Sequence, residues 1–334
     1  MADGVRDFGN GCLCYLQDCN QGSGWGWSNS GLIVDAGEAL LVDTLRDERL
    51  THTMLESYRK ATGLAPRDIG TLVNTHSDGD HTFGNRLMEH ARILATPECK
   101  TGIAERGPTM FQRLLDNRPQ GIVGDFILKL YGPPFDFVGI EPKLPTELVE
   151  QSLTVTVGNK TVELLKVGPA HTDGDMIAVV PSERTVFTGD ILFYTNTPVL
   201  WSGPASNWIG ALDRILSMDI ETVVPGHGPV TDKSGVRKMR EYLVFIQAEA
   251  RKRFDAGMPI EEAIQDVALD EFEDWGGSER IVVNLMHLYA EFQGEKPVFN
   301  FPALITKMAH YAERARRRRG AKAPRAPSTP CGPH

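Results

Sequence analysis

The 334-residue chain lacks any apolar run approaching the roughly 20 residues that cross a bilayer. Its opening, MADGVRDFGNG, has no basic start followed by an apolar stretch, so no secretory signal is expected and a cytoplasmic setting is the default. Cysteine is sparse. There are five, with Cys12, Cys14 and Cys19 close together, Cys99 alone and Cys331 near the end. An odd count in a long chain does not suit a disulfide framework. The early trio reads better as small apolar residues of a first strand, CLCYL, than as a metal knuckle. No segment has the pattern of a nucleic-acid-binding module. The net charge of −9 argues against a polyanionic substrate. The basic, Pro-rich end, residues 313–334, reads as a solvated disordered tail rather than a nucleic-acid or membrane contact. No repeat recurs at a fixed period.

What is present is ordinary for a globular protein: 41% hydrophobic and 24% charged residues, in a chain long enough to bury a large core. SGLIVD and ALLVDT read as a hairpin. DERLTHTMLESYRKATG has helical spacing through Leu50, Met54, Leu55 and Tyr58, and Gly63 ends it. IGTLVNT and RILATPE follow as strands. Residues 97–142 break the rhythm with Gly, Pro and short helical pieces, and read as an insertion, either a lid or a dimer contact. Strands resume with LTVTVG, KTVELLKVG, MIAVVPSERTVFTGD and ETVVPGHGPV. The last third is helical, with Ile281, Leu285, Leu288 and Phe292 on one packing face. Two domains' worth of pattern results: a strand-rich part over 1–232 and a helical extension over 233–312.

Four distant pieces share one design, a strand followed by a Gly-rich turn bearing His or Asp. They are NTHSDGDH (His76, Asp78, Asp80, His81), VGPAHTDGD (His171), VFTGDIL (Asp190) and VVPGHGPV (His227). Strand ends are rigid mounts, and glycine lets the chain turn sharply enough to aim side chains into one cleft. Imidazole with carboxylate suits zinc, iron or manganese. His287 and His310 have no such neighbours and read as packing or surface residues.

This set, in this order, resembles the metallo-β-lactamase superfamily, whose loop reads His-x-His-x-Asp-His and is followed by a later His, an Asp after a strand and a His in a Gly-His-Gly turn. The resemblance covers about residues 28–232. It implies an α/β fold, a four-layer αββα sandwich with metals in the loops at one edge, here carrying the helical C-terminal extension. It implies His76 and His171 on a first metal, Asp80, His81 and His227 on a second, and Asp190 bridging. The chain departs from the pattern at Asp78, which stands where the middle histidine belongs. Three outcomes stay open: Asp78 ligates through its carboxylate; the first site is weak and one metal remains; or the carboxylate-rich set holds iron, as in the flavodiiron proteins, although no flavin domain follows. One or two zinc ions are expected.

A bound divalent ion lowers the pKa of its water from about 15.7 to about 7, giving a hydroxide nucleophile. Asp80, Asp78 or Asp190 would then orient that water and take its proton. Trp25 and Trp27 in GSGWGWSNSG, with Phe193, Asn196 and Trp201 after Asp190, suggest a wall for an apolar body, while Trp208 reads equally well as core. The expected function is a metal-dependent hydrolase acting on a small, neutral or weakly anionic, aromatic substrate. Esters, lactones, thioesters, amides and haloaromatics all qualify. Aromatic-polyketide cyclase/thioesterases, hydrolytic dehalogenases and, from another class, a diiron redox protein are the alternatives.

Overall fold

The computed structural model describes residues 4–18 and 24–322. Seven strands form the first sheet in chain order: β1 (Gly4–Asp7), β2 (Cys12–Leu16), β3 (Ser30–Asp35), β4 (Glu38–Val42), β5 (Ile69–Val73), β6 (Arg92–Ala95) and β7 (Glu147–Leu148). Pairing is antiparallel from β1 to β4 and parallel from β4 to β7. The second sheet holds β8 (Ser152–Val157), β9 (Lys160–Lys166), β10 (Met176–Val180), β11 (Thr185–Phe187) and β12 (Thr222–Val224), each beside the next. Its β11–β12 pair is parallel and the others antiparallel.

The helices are α1 (Glu48–Thr62), α2 (Gly79–Thr82), α3 (Pro97–Glu105), α4 (Thr109–Asp116), α5 (Ile122–Tyr131), α6 (Ala205–Ser217), α7 (Lys233–Asp255), α8 (Ile260–Asp266), α9 (Ile281–Gln293) and α10 (Phe301–Lys322).

The period of two along the strands builds the layers. In β2, Cys12, Cys14 and Leu16 face the other sheet, while Leu13 and Tyr15 face outward onto α1. In β4, Leu40 and Val42 point inward and Ala39 and Leu41 outward. In β10, Met176, Ala178 and Val180 join the core between the sheets, and Ile177 and Val179 pack under α6 and α7. Both faces of these inner strands are therefore apolar, which explains why they read as continuous runs, while the edge strand β8 exposes Ser152, Thr154 and Thr156 on one face. The result is helix, sheet, sheet, helix. Cys12 and Cys14 are buried, unpaired thiols between the sheets, as a strand reading requires. Cys19 and Cys331 lie outside the described residues.

Helix α1 starts where Asp47 accepts the Leu50 N–H (2.6 Å) and stops at Gly63, in the left-handed region at φ 78°. CLCYL is the second strand rather than the first: GVRD pairs ahead of it, and with a single apolar residue that strand has no hydrophobic pattern to reveal it. At the other end, α10 runs ten residues into the stretch assigned to the tail. Glu313 braces it there, paired with Arg316 and Arg317 at 3.0 and 2.8 Å. Within 97–142, α3, α4 and α5 pack back onto the chain, and α5 lies against α10.

Candidate metal centre

The four Gly-rich turns meet at one edge of the sandwich. His76 lies in the loop after β5, and Asp80 and His81 lie on α2. His171 is in the β9–β10 loop, Asp190 in the turn after β11 and His227 in the turn after β12. All six are buried. The β12 turn requires its glycines. A Cβ on Gly226 would sit 2.0 Å from Asp190 Oδ1, and Gly228 combines φ 99° with a 2.0 Å approach of the Tyr194 carbonyl to any Cβ. Asn29 donates to the carbonyls of Pro225 (2.9 Å) and Gly228 (2.8 Å) and so clamps the same turn.

Each histidine has one ring nitrogen engaged. His76 Nδ1 meets Thr75 Oγ1 at 3.0 Å, and His81 Nδ1 meets Asp43 Oδ2 at 2.9 Å. His171 Nδ1 meets the Val199 carbonyl at 2.7 Å, and His227 Nδ1 meets the Trp27 carbonyl at 3.0 Å. The Nε2 atoms all turn toward Asp190. Its Oδ2 lies 3.7 Å from His76, 3.3 Å from His171 and 3.3 Å from His227, and its Oδ1 lies 3.1 Å from His81. His76 Nε2, His81 Nε2 and Asp190 Oδ1 are buried without a hydrogen-bond partner. Orphaned polar atoms of this kind call for an explanation. A cation between them supplies one, because an outer partner on the far nitrogen is the usual way to orient a metal-ligating imidazole. Three tight sets of donors form among the described residues: His76, His171 and Asp190; Asp80, His81 and His227; and Asp43, His76 and His81. Asp43 Oδ2 is already taken by Thr75 Oγ1 and His81 Nδ1, which leaves the first two sets to hold an ion.

The electrostatics reflect how closely acids and imidazoles are packed: burial disfavours a charged His81, yet Asp190 and Asp43 raise it well above its ordinary value. Burial penalises the charge on Asp190, yet the imidazoles of His227, His81 and His76 hold its carboxyl well below the usual range. Burial, with His81 beside it, lowers His76 to about 4, so it offers a neutral ring. For His171 burial works the same way but is outweighed by Asp78, and the ring is pushed up to about 9.

Asp78 lies beside this centre. Its Oδ2 is 3.3 Å from His171 Nε2, and its Oδ1 faces Arg106 Nη1 at 3.4 Å. The carboxylate thus occupies the side of the first set, shared between a histidine and an arginine, and it is outside all three triads.

A cavity of about 460 Å³ opens over the cluster, lined by Trp25, Phe193, Trp201 and Phe299 among the rings and by Asp78, Asp80, His171, Asp190 and His227 at its base. Trp25 and Trp201 stand 6.4 Å apart, and Trp25 Nε1 donates to Glu279 (2.9 Å). Phe193 stacks on His227 at 4.9 Å. Two residues expected on this wall are absent from it. Trp27 is packed against Phe135 at 4.9 Å and touches the site only through its backbone carbonyl. Asn196 is fully buried, pairs with Gly276 and donates to the Tyr194 carbonyl, so it shapes the loop behind the wall. Trp208 is core, its indole donating to the Ile191 carbonyl. His287 is buried packing, and His310 is exposed.

Sequence reasoning missed Asp43, Thr75 and three arginines of the cavity, Arg46, Arg106 and Arg280. Asp43 accepts from Thr75 N–H (2.7 Å), Thr75 Oγ1 (2.7 Å) and His81 Nδ1. Its signal was visible, since it ends the strand ALLVD as Asp190 follows VFTG. The arginines carry no comparable local mark.

A fold of two facing sheets with an edge cluster of four histidines and shared carboxylates defines a metallo-hydrolase. The chain belongs to the metallo-β-lactamase superfamily, whose family model matches residues 23–227. It is 24% identical over 218 residues to a probable metallo-hydrolase of Methanocaldococcus jannaschii, covering 63% of this chain and 93% of that protein. Over 95 residues it is 30% identical to a beta-lactamase-like protein 2 homolog of Caenorhabditis elegans, 28% of this chain and 31% of the other. Among solved structures, the sec-alkylsulfatase Pisa1 from Pseudomonas sp. superposes with a TM-score of 0.65 at 16% identity over 90% of this chain, which spans about half (51%) of that enzyme. A metallo-beta-lactamase from Pontibacter korlensis superposes with a TM-score of 0.53 at 14% identity, covering 73% of this chain and 99% of that one. The protein is therefore a hydrolase of this superfamily, with the sandwich fold. Among the described residues, no helix is long and apolar enough to cross a membrane.

Proposed function

We propose that the protein is a zinc-dependent hydrolase of a small substrate with an apolar, ring-sized body. The observation that carries this is the set of four buried imidazoles, each tied at Nδ1 and turned by Nε2 toward the one carboxylate of Asp190. His76, His171 and Asp190 would hold one ion, and Asp80, His81 and His227 a second. A divalent ion supplies Lewis acidity toward a water molecule and toward the substrate's electrophilic atom.

The chain does the rest. Asp80 lines the cavity, 3.5 Å from both Arg46 Nη1 and His227 Nε2, and is placed to orient the attacking water and accept its proton. Asp190 fixes the spacing between the two histidine sets. Trp25, Trp201 and Phe193 receive the apolar body, where burying one ring stabilises binding by roughly 1.5–3 kcal/mol. A cavity of about 460 Å³ suits a compact organic molecule.

The test is elemental analysis of the purified protein together with a hydrolysis screen. The screen spans esters, lactones, thioesters, amides and haloaromatics, with sulfate esters added because a sec-alkylsulfatase shares the fold. We expect one or two zinc ions per chain and loss of turnover in His227→Ala. Full turnover by metal-free protein or by that variant overturns the reading. Bound iron with a visible absorption band would instead favour the diiron alternative.

A further inference from the structure

The cavity wall carries three arginines, Arg46, Arg106 and Arg280, and three carboxylates, Asp78, Asp80 and Asp190. These balance before any cation is counted. Each divalent ion held as proposed above adds two positive charges that no other side chain of the wall offsets. Inside a walled, low-dielectric cleft such an excess is felt strongly and draws anions.

Arg46 shows the same shortage locally. The residue is 4% exposed. Its Nη1 lies 3.5 Å from Asp80 Oδ1, and its Nε and Nη2 have no hydrogen-bond partner among the described residues. The ring centroids of Phe111, Tyr131, Phe135 and Phe137 lie 4.8, 5.3, 5.4 and 5.6 Å from the guanidinium carbon, so aromatic faces stabilise the cation while excluding water. Asp80, the carboxylate beside it, belongs to a candidate metal set and would share its charge with the ion. A buried cation left with a fraction of one carboxylate is poorly compensated. Arg106 reaches the same loop from the mouth. Its Nη1 is 3.4 Å from Asp78 Oδ1 and its side chain is 43% exposed. The two guanidinium groups thus bracket the loop from Asp78 to Asp80.

We propose that the substrate is a monoanion, and that its oxyanion group, a carboxylate or a sulfur oxyacid, docks between Arg46 and Arg106 while its apolar body lies along Trp25, Trp201 and Phe299. This rests on the hydrolase reading for the ion's charge. It selects the anionic side of the sequence expectation, and the acidic chain as a whole disfavours anything more highly charged. Arg46 also braces Asp80, but a brace alone would not make the cavity distinguish an anion from a neutral molecule of equal shape.

That distinction is the experiment. Binding of phenylacetate and benzenesulfonate is compared with phenylacetamide and methyl phenyl sulfone, by calorimetry on the metal-loaded protein, with metal content measured in every sample. We expect the anions to bind about 10-fold tighter than their neutral counterparts, or about 1.4 kcal/mol. The tighter of the two anions tells a planar from a tetrahedral group. In Arg46→Gln with unchanged metal content the ratio should fall below about 3-fold, and Arg46→Lys should keep most of it, since charge rather than shape sets the preference. Equal binding of anion and neutral partner overturns the proposal. So does an anion preference that survives Arg46→Gln, which would locate the attraction at the ion alone. Should Arg46→Gln fail to fold, the half-exposed Arg106→Gln carries the test, and an undiminished preference there is equally fatal. Because the readout is equilibrium binding, anion selectivity without any hydrolysis keeps this site and removes the hydrolase reading, and hydrolysis of neutral esters without selectivity does the reverse.

Discussion

Asp43→Asn should weaken metal uptake at both candidate sites, although Asp43 is assigned to neither. Its carboxylate is 2% exposed and takes three donors: Thr75 N–H on Oδ1 at 2.7 Å, then Thr75 Oγ1 at 2.7 Å and His81 Nδ1 at 2.9 Å on Oδ2. Asparagine keeps one acceptor oxygen. Whichever way the amide turns, a buried donor faces its NH2. Losing a hydrogen bond to a charged group costs about 1.5–3 kcal/mol, or roughly 10- to 100-fold in an equilibrium constant, which is also the usual effect of disturbing a ligand's outer partner. The loss reaches the second set directly through His81. It reaches the first set through Thr75, whose hydroxyl meets His76 Nδ1 at 3.0 Å. Thr75→Val cuts only this second route, so it should weaken the first site and spare the second.

Both variants can be read by zinc competition against a chromophoric chelator, with two binding steps resolved. Thermal melts in excess EDTA separate loss of fold from loss of metal. The role given to Asp43 is refuted if Asp43→Asn holds both ions with the parent's affinity, or if Thr75→Val weakens the second step as much as the first.

Three further outcomes follow from the same geometry. Asp78→Ala should lower first-site affinity, and Asp78→His alone should not rescue it, because Arg106 then faces an imidazole instead of an anion; adding Arg106→Ala should improve metal binding over the single histidine variant, and additive effects in the double-mutant cycle would show that the pair is not coupled. Trp201→Ala and Trp25→Ala should raise KM more than they lower kcat, as expected of walls that hold ground and transition states alike, whereas Trp27→Ala, removing a buried ring packed on Phe135, should lower stability by about 3–5 kcal/mol; steady-state kinetics and denaturant melts check both, and a Trp27→Ala protein as stable as the parent contradicts the placement. Burial holds His287 at about 4, below its ordinary 6.5, so the unfolded chain binds the extra proton between those values. Stability from this residue is therefore intact above pH 6.5 and falls as pH drops toward 4, by about 3 kcal/mol in all; His287→Gln should flatten that acid limb, and superimposable stability–pH curves would contradict it.

The fold and the cluster of histidines and aspartates were legible for one reason. The residues that make them are marked by local pattern. Apolar runs bounded by glycine give strands, and His or Asp placed in a Gly-rich turn at a strand end is a departure from that pattern that is rarely structural four times over. Asp43 was legible by the same rule and was overlooked because it stands in a turn without histidine. The wall of the cavity was not legible in this way. Trp25 and Trp27 are two residues apart with equivalent surroundings in sequence, yet one lines the cavity and the other packs on Phe135, because the choice is made by residue 135 of the insertion rather than by the loop.

Asp78 shows the deeper form of this limit. Its departure from the family loop was plain, but the meaning of the departure depends on Arg106, 28 positions later at the end of α3. A carboxylate forms an ion pair with that guanidinium, which a neutral imidazole cannot. The aspartate in the loop and the arginine at the end of α3 make physical sense as a pair, so the segment after β6 reaches the edge of the sandwich where the histidines meet.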